Sequence, residues 1–162
     1  MLVRIILLFI VIVATLLIIA GQTGLLSGKT PTNLGVKDGL LKPPSNTENS
    51  ASSQAEQYPD HPMSAYATIA PITYTGDAAQ AWAKLERAIG GLPRTTIVTN
   101  NKDKSSAQTQ GRYLYAQSTT LVFRFTDDLE FVMDEANNLI HMRSASRLGR
   151  KDFGANRARL EA

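Results

Sequence analysis

From Ile5 to Ala20 every residue except Thr15 is apolar, and Leu2 and Val3 carry the run across Arg4. About 20 consecutive apolar residues in a helix match the hydrocarbon thickness of a bilayer. A cleaved signal peptide has a shorter apolar stretch, typically about 7 to 15 residues, closed by small residues at a cleavage site. Leu17 and Ala20 make a poor site, and the chain contains no cysteine that could carry a lipid. The expectation is an uncleaved anchor over residues 1–21, seated in the membrane through residues 2–20. Arg4 and the amino terminus put positive charge before the helix, which favours keeping that end in the cytoplasm; Lys29 and Lys37 oppose the bias. The reading is a single pass through an inner or plasma membrane with the C-terminal domain extracytoplasmic, which in a bacterium means periplasmic.

Residues 22–63 follow as a spacer. Gly21, Gly24, Gly28, Gly35 and Gly39, with Pro31, Pro43, Pro44, Pro59, Pro62 and the Ser/Asn-rich stretch from Ser45 to Ser53, resist regular structure. A flexible tether and an ordered strap laid across the domain are both compatible with that composition.

Residues 64–162 are expected to fold as one domain. Ala78, Ala81, Trp82, Leu85 and Ile89 recur at helical spacing, Asp77 is a plausible N-cap, and Gly90-Gly91 followed by Pro93 ends the helix. After Pro93 the period changes to two. Thr95 to Thr99 is a β-branched run, Asn100 to Thr109 a polar turn, and Tyr113 to Ala116 the next strand. Leu121, Phe123, Phe125, Leu129, Phe131 and Met133 share one parity, which predicts one long bent strand or two short ones. Asp134 to Asn138 is a turn, and Leu139 to Ala145 the last strand, with Ile140 and Met142 facing opposite to His141 and Arg143. One helix and then adjacent strands, without β-α-β alternation, predict an α+β fold: a small antiparallel sheet with one main helix on one face, preceded by the transmembrane helix.

The charge balance, 17 Lys and Arg against 14 Asp and Glu, is too small to indicate a nucleic-acid partner, and no contiguous basic block is present. With no cysteine, disulfides, thiolate metal sites and cysteine nucleophiles are excluded. No cofactor motif appears. Asp152-Phe153-Gly154 imitates the metal-binding triplet of protein kinases, but the rest of that machinery is missing.

Two polar groups stand out: Asp127, Asp128 and Glu130 on one side, and Arg143, Ser144, Ser146, Arg147, Asp152, Asn156, Arg157 and Arg159 on the other. The segments that contain them, Phe125 to Phe131, Ile140 to Gly149 and Asp152 to Arg157, together with Gly35 to Leu40 and Ser52 to Ala55, closely resemble the family called domain of unknown function 1499, over about Leu34 to Arg159. The resemblance implies a recurring fold and an envelope or organelle setting without an established reaction. It also implies that the second half of the spacer is an ordered strap. The family typically has two cysteines in that half, where this chain has Pro44 and Ser50.

Three readings of the polar groups remain open. In the first, Arg143, Arg147 and Arg157 pair with Asp127, Asp128 and Glu130 in a structural network, because a guanidinium fork engages a carboxylate through two parallel bonds. In the second, the same arginines, with Ser144, Ser146 and Asn156, form a pocket for an anion such as a lipid head group or cell-wall fragment. The third is a metal on Asp128 and Glu130, which share a strand face that Asp127 does not; two carboxylates are few ligands for calcium. The expected role is a non-enzymatic binding or accessory module of the envelope, with a protein or lipid partner. The alternative is a hydrolase or anionic-ligand-processing enzyme that uses the region of Asp128, Glu130 and Ser146. His61 and His141 have no nucleophile at motif spacing, and carboxylates beside arginines make poor proton donors.

Overall fold

The computed structural model describes residues 1–101 and 111–162. Among the described residues, four α-helices and six strands run in the order α1 (Leu2–Gln22), β1 (Ser50–Ser52), α2 (Ser64–Ala67), β2 (Ile72–Thr73), α3 (Ala78–Gly91), β3 (Thr95–Asn101), β4 (Tyr113–Thr119), β5 (Thr126–Asp134), β6 (Leu139–Ser146) and α4 (Ala155–Glu161), with a short 3₁₀ turn at Ala55–Gln57. The strands form one antiparallel sheet in the order β1-β6-β5-β4-β3, and β2 pairs with the lower half of β6 beside β1. The fold is α+β. Within the expected polar turn, residues 102–110 lie outside the described residues.

α1 is 21 residues long, about 30 Å at 1.5 Å per residue, with all of its large apolar side chains exposed. It is long and apolar enough to cross a membrane. α3 forms where the apolar stripe requires it: the Asp77 carboxylate accepts from the Gln80 amide at 2.8 Å, and Trp82, Leu85 and Ile89 face the sheet. They meet Leu114, Ala116, Leu129, Phe131, Met133, Ile140 and Met142, the residues of one parity on β4, β5 and β6. Trp82 is a core residue whose indole N–H donates to Asn100 Oδ1 at 3.0 Å.

The opposite face of the sheet is also covered. Leu34, Val36 and Leu41 lie over Tyr113, Tyr115 and Val132 in a second apolar cluster. β5 is therefore buried on both faces from Thr126 to Met133. The stretch expected as a spacer also contributes β1, whose Ser50, Ala51 and Ser52 pair with Ala145, Ser144 and Arg143, so the sheet begins before residue 64. Three-residue β1 depends for its place on the β6 edge and carries little periodic signal of its own, which is why composition did not reveal it.

A second difference concerns the run of common parity from Leu121 to Met133. The strand begins only at Thr126; Thr120 to Phe125 form the β4–β5 loop, closed by the Phe125 amide on Thr120 Oγ1 at 3.0 Å, with Leu121 and Val122 exposed. Alternation continued across the loop by coincidence, and the β4 partner residues end at Thr119.

Trp82→Ala removes the largest fully buried side chain and is expected to destabilise the domain by roughly 3–5 kcal/mol, measured by chemical unfolding of the full chain in detergent.

Candidate functional site

Apart from Arg157, the polar residues singled out from the sequence converge at the junction of β5, β6 and the C-terminal segment, but the sheet divides them into two clusters. Antiparallel pairing sets Asp128 opposite Ala145 and Glu130 opposite Arg143 on the face covered by residues 34–41. Asp127 lies opposite Ser146, and Leu129 opposite Ser144, on the face toward α4. Arg143 and Arg147, bonded to Glu130 and Asp128, lie on the opposite side of the sheet from Ser144, Ser146 and Asn156, so the two sets do not line one pocket.

On the covered face Asp128 accepts from Arg147 through Nε to Oδ2 at 2.9 Å and Nη2 to Oδ1 at 2.7 Å, and from the Tyr115 hydroxyl at 2.6 Å. Tyr115 in turn accepts from Gln117 Nε2 at 2.7 Å and Arg147 Nη2 at 3.1 Å. Glu130, fully buried, accepts from the Tyr113 hydroxyl and the Gly35 amide, each at 2.8 Å, and from Arg143 Nη1 at 3.3 Å. Arg143 Nε donates to the Pro43 carbonyl at 3.3 Å. Gly35 makes its bond with φ at +110°, a conformation that favours glycine.

Electrostatics follow from this burial. Desolvation pushes the Arg143 guanidinium below its ordinary range, and the carboxylates of Glu130 and Asp128 pull it back. The hydrogen bonds to Asp128 hold the Arg147 guanidinium above its usual value. Burial, then Glu130, drives the Tyr113 hydroxyl far up, and burial with the Asp128 bond raises Tyr115; both stay protonated donors. Lys42, at the edge of the cluster, is lowered by burial and by Arg143.

On the α4 face Asn156 is the hub. Its Nδ2 donates to the Asn49 carbonyl at 3.0 Å, Ser146 Oγ at 2.9 Å and Asp152 Oδ2 at 2.7 Å, while its Oδ1 accepts from the Ser144 hydroxyl. Asp152 also accepts the amides of Gly154 and Asn156, each at 3.0 Å. Burial alone would raise its carboxyl, but these amides outweigh it and hold it below the usual range. Arg159 Nη2 donates to Asp127 Oδ2 at 2.8 Å.

Arg157 was expected beside the acidic group and is not there. It donates to the carbonyls of Thr68 at 3.0 Å and Tyr66 at 2.6 Å and pairs with Glu161. On α4 residues 157 and 159 point about 200° apart, so only one can reach β5, and it is Arg159. Sequence reasoning also missed Tyr113 and Tyr115. Their shared parity within the strand was the available signal; their register against Glu130 and Asp128 was not.

His141 lies at the other end of the sheet, beside a cleft of about 510 Å³ lined by Gly39, Gln54, Val132 and Asp134 among others. Its Nδ1 is 3.3 Å from Ser53 Oγ and its Nε2 is 4.0 Å from Asp134 Oδ2. The order serine, histidine, aspartate suggests a nucleophile and base. Yet Ser53 Oγ accepts from the Met142 amide at 2.9 Å, and Asp134 is held by Asn137 Nδ2 at 2.7 Å, so neither end is free. Among the described residues no group of three or more His, Asp or Glu is placed to hold a metal.

Residues 40–162 match the model of a family described as a protein of unknown function, DUF1499. This chain belongs to that family. No curated protein and no solved structure matches it. The match spans the sheet, the charged side chains of both polar clusters and the end of the overlying segment, whereas α1 and residues 23–39, Gly35 among them, lie outside it.

Arg147→Ala would strand the Asp128 carboxylate, whose side chain is 2% exposed, and is expected to cost roughly 3–5 kcal/mol in chemical unfolding. Arg157→Ala, at a site 39% exposed, is expected to cost about 1 kcal/mol. Burial also holds the His141 imidazole below its ordinary value of about 6.5, partly offset by Asp134. The unfolded chain then binds a proton that the folded chain does not, so stability falls as pH drops through 6.5 toward the lower folded value. His141→Gln should flatten that part of a plot of Tm against pH.

Proposed function

We propose that this chain is a single-pass, membrane-tethered module of the cell envelope, non-enzymatic, whose α+β domain binds a protein or lipid partner or serves as an accessory part of an assembly. The observation that carries this reading is the state of the acidic and basic residues: Asp128 and Glu130 are occupied by Arg147, Arg143, two tyrosines and a backbone amide. Groups so engaged orient a segment and leave little capacity for substrate. An uncleaved anchor is favoured because the end of α1 is built into the domain. Gly21 is buried against the Phe123 backbone, and Gln22 Nε2 donates to the Val122 carbonyl at 3.3 Å. Arg4 and the amino terminus favour an extracytoplasmic domain.

The hydrolase alternative, built on the region of Asp128, Glu130 and Ser146, is disfavoured by the same engagement of the two carboxylates and by the Ser146 hydroxyl's bond from Asn156 Nδ2 at 2.9 Å. Labelling of Ser146 by a fluorophosphonate probe would favour it.

Affinity purification of the full chain from detergent-solubilised membranes is expected to recover a stoichiometric envelope partner. A monomer carrying a bound small molecule would overturn the accessory reading. Because the chain has no cysteine, a single cysteine at exposed Ala136 should react with a membrane-impermeant thiol reagent in intact cells if the domain faces outward.

A further inference from the structure

We infer that the end of the sheet surrounding the exit of α1 is a membrane-docking surface, seated in the head-group region of the bilayer that α1 crosses. The inference rests on the tether reading and adds to it: the domain lies on the membrane at a fixed face instead of standing away from it.

Four apolar side chains around this exit are exposed: Leu25 (76%), Leu121 (69%), Val122 (45%) and Leu148 (42%). Contacts bring them together although they are up to 123 residues apart in the chain. The Leu25 amide donates to the Ala20 carbonyl at 3.0 Å, which keeps Leu25 on the last turn of α1. The β4–β5 loop carrying Leu121 and Val122 touches the same turn, through Gln22 to the Val122 carbonyl and Arg124 Nη1 to Gln22 Oε1 at 3.5 Å. Gly28 packs on Arg147 and Leu148, where β6 has ended.

Gly21 makes the join close. A Cβ built there would lie 2.5 Å from the Phe123 carbonyl oxygen, so only glycine lets the helix meet the loop backbone. The loop is thereby held against the helix at the level where α1 leaves the domain.

The charge at this end suits a lipid surface. Arg94, Arg124 and Arg150 are exposed. Arg94 belongs here because its carbonyl accepts the Thr119 amide at 3.0 Å. The nearby acids, Asp127 and Asp128, are consumed by Arg159 and Arg147. Apolar side chains rimmed by exposed guanidinium groups fit the boundary between acyl chains and anionic head groups. What selects lipid as the occupant is continuity: the rim adjoins a helix long and apolar enough to cross the bilayer.

The cysteine-free sequence permits a direct test. Leu121→Cys, Leu148→Cys and, as control, Ala136→Cys on the turn at the opposite end of β5 would each carry a polarity-sensitive fluorophore. The full chain would be reconstituted in vesicles of phosphatidylcholine mixed with phosphatidylglycerol, with and without a lipid-borne quencher. Docking predicts that the labels at 121 and 148 shift to the blue and are quenched, while the label at 136 is neither. Gly21→Leu, which drives a side chain into the Phe123 backbone, should leave flotation with vesicles intact and weaken that quenching. A chain that floats and resists alkaline extraction, yet shows water-like labels at 121 and 148, would overturn the docking inference and leave the tether standing. Labels shielded from water but not quenched by lipid would mean that a protein covers the rim, and would overturn it too. A chain that does not float would end both readings.

Discussion

Burial of β5 on both faces is the constraint on which the rest of this structure depends. A strand flanked by two partners can bury apolar side chains on either side at no cost in backbone hydrogen bonds, but Asp127, Asp128 and Glu130 lie in its middle. Removing a carboxylate from water costs several kcal/mol even after relaxation, and the cost is offset only by a well-placed opposite charge with further hydrogen bonds. Each carboxylate accordingly has an arginine, Arg159, Arg147 and Arg143 in turn. Tyr115 and Tyr113 supply additional donors to Asp128 and Glu130.

That requirement shapes the segments outside the sheet. Glu130 takes the Gly35 amide and Arg143 takes the Pro43 carbonyl, so residues 35 to 43 are fixed over the sheet by the same buried charges they shield. On the other face Asp127 and Ser144 hold Arg159 and Asn156, which fasten α4 and, through Asn156, the Asn49 backbone that leads into β1. The polar clusters thus connect the beginning and the end of the domain. The arginines nearest the carboxylates are thereby used, while Arg87, Arg94, Arg124 and Arg150 stay exposed.

The identity of the folded elements was legible where a local pattern reports a local structure. The helical stripe of α3 with its Asp77 cap, the opposed parities of Ile140 and His141, and the separation of Asp127 from Asp128 and Glu130 all follow from the 3.6- and 2-residue periods. Periodicity misled at Leu121 to Phe125, where alternation continues into a loop, because parity alone says nothing about whether a partner strand is present. It was silent about β1, which is too short to have a period, and about the choice of Arg159 over Arg157 as the partner of Asp127.

What the sequence determined by itself was the long apolar α1, the α+β class and the set of ionisable residues near the C-terminus, since each of these is set by side-chain chemistry along a continuous stretch. Tertiary structure alone decided which charges meet. Their partners are separated by 13 to 32 residues in the chain, and the antiparallel register and the covering by residues 34–41 bring them into contact, assigning Asp128 and Glu130 to one side and Asp127 to the other. The seat of Gly21 on Phe123 belongs with them: a hydropathy profile registers only that a helix is apolar, while the domain it rests on is fixed by a contact spanning about 100 residues.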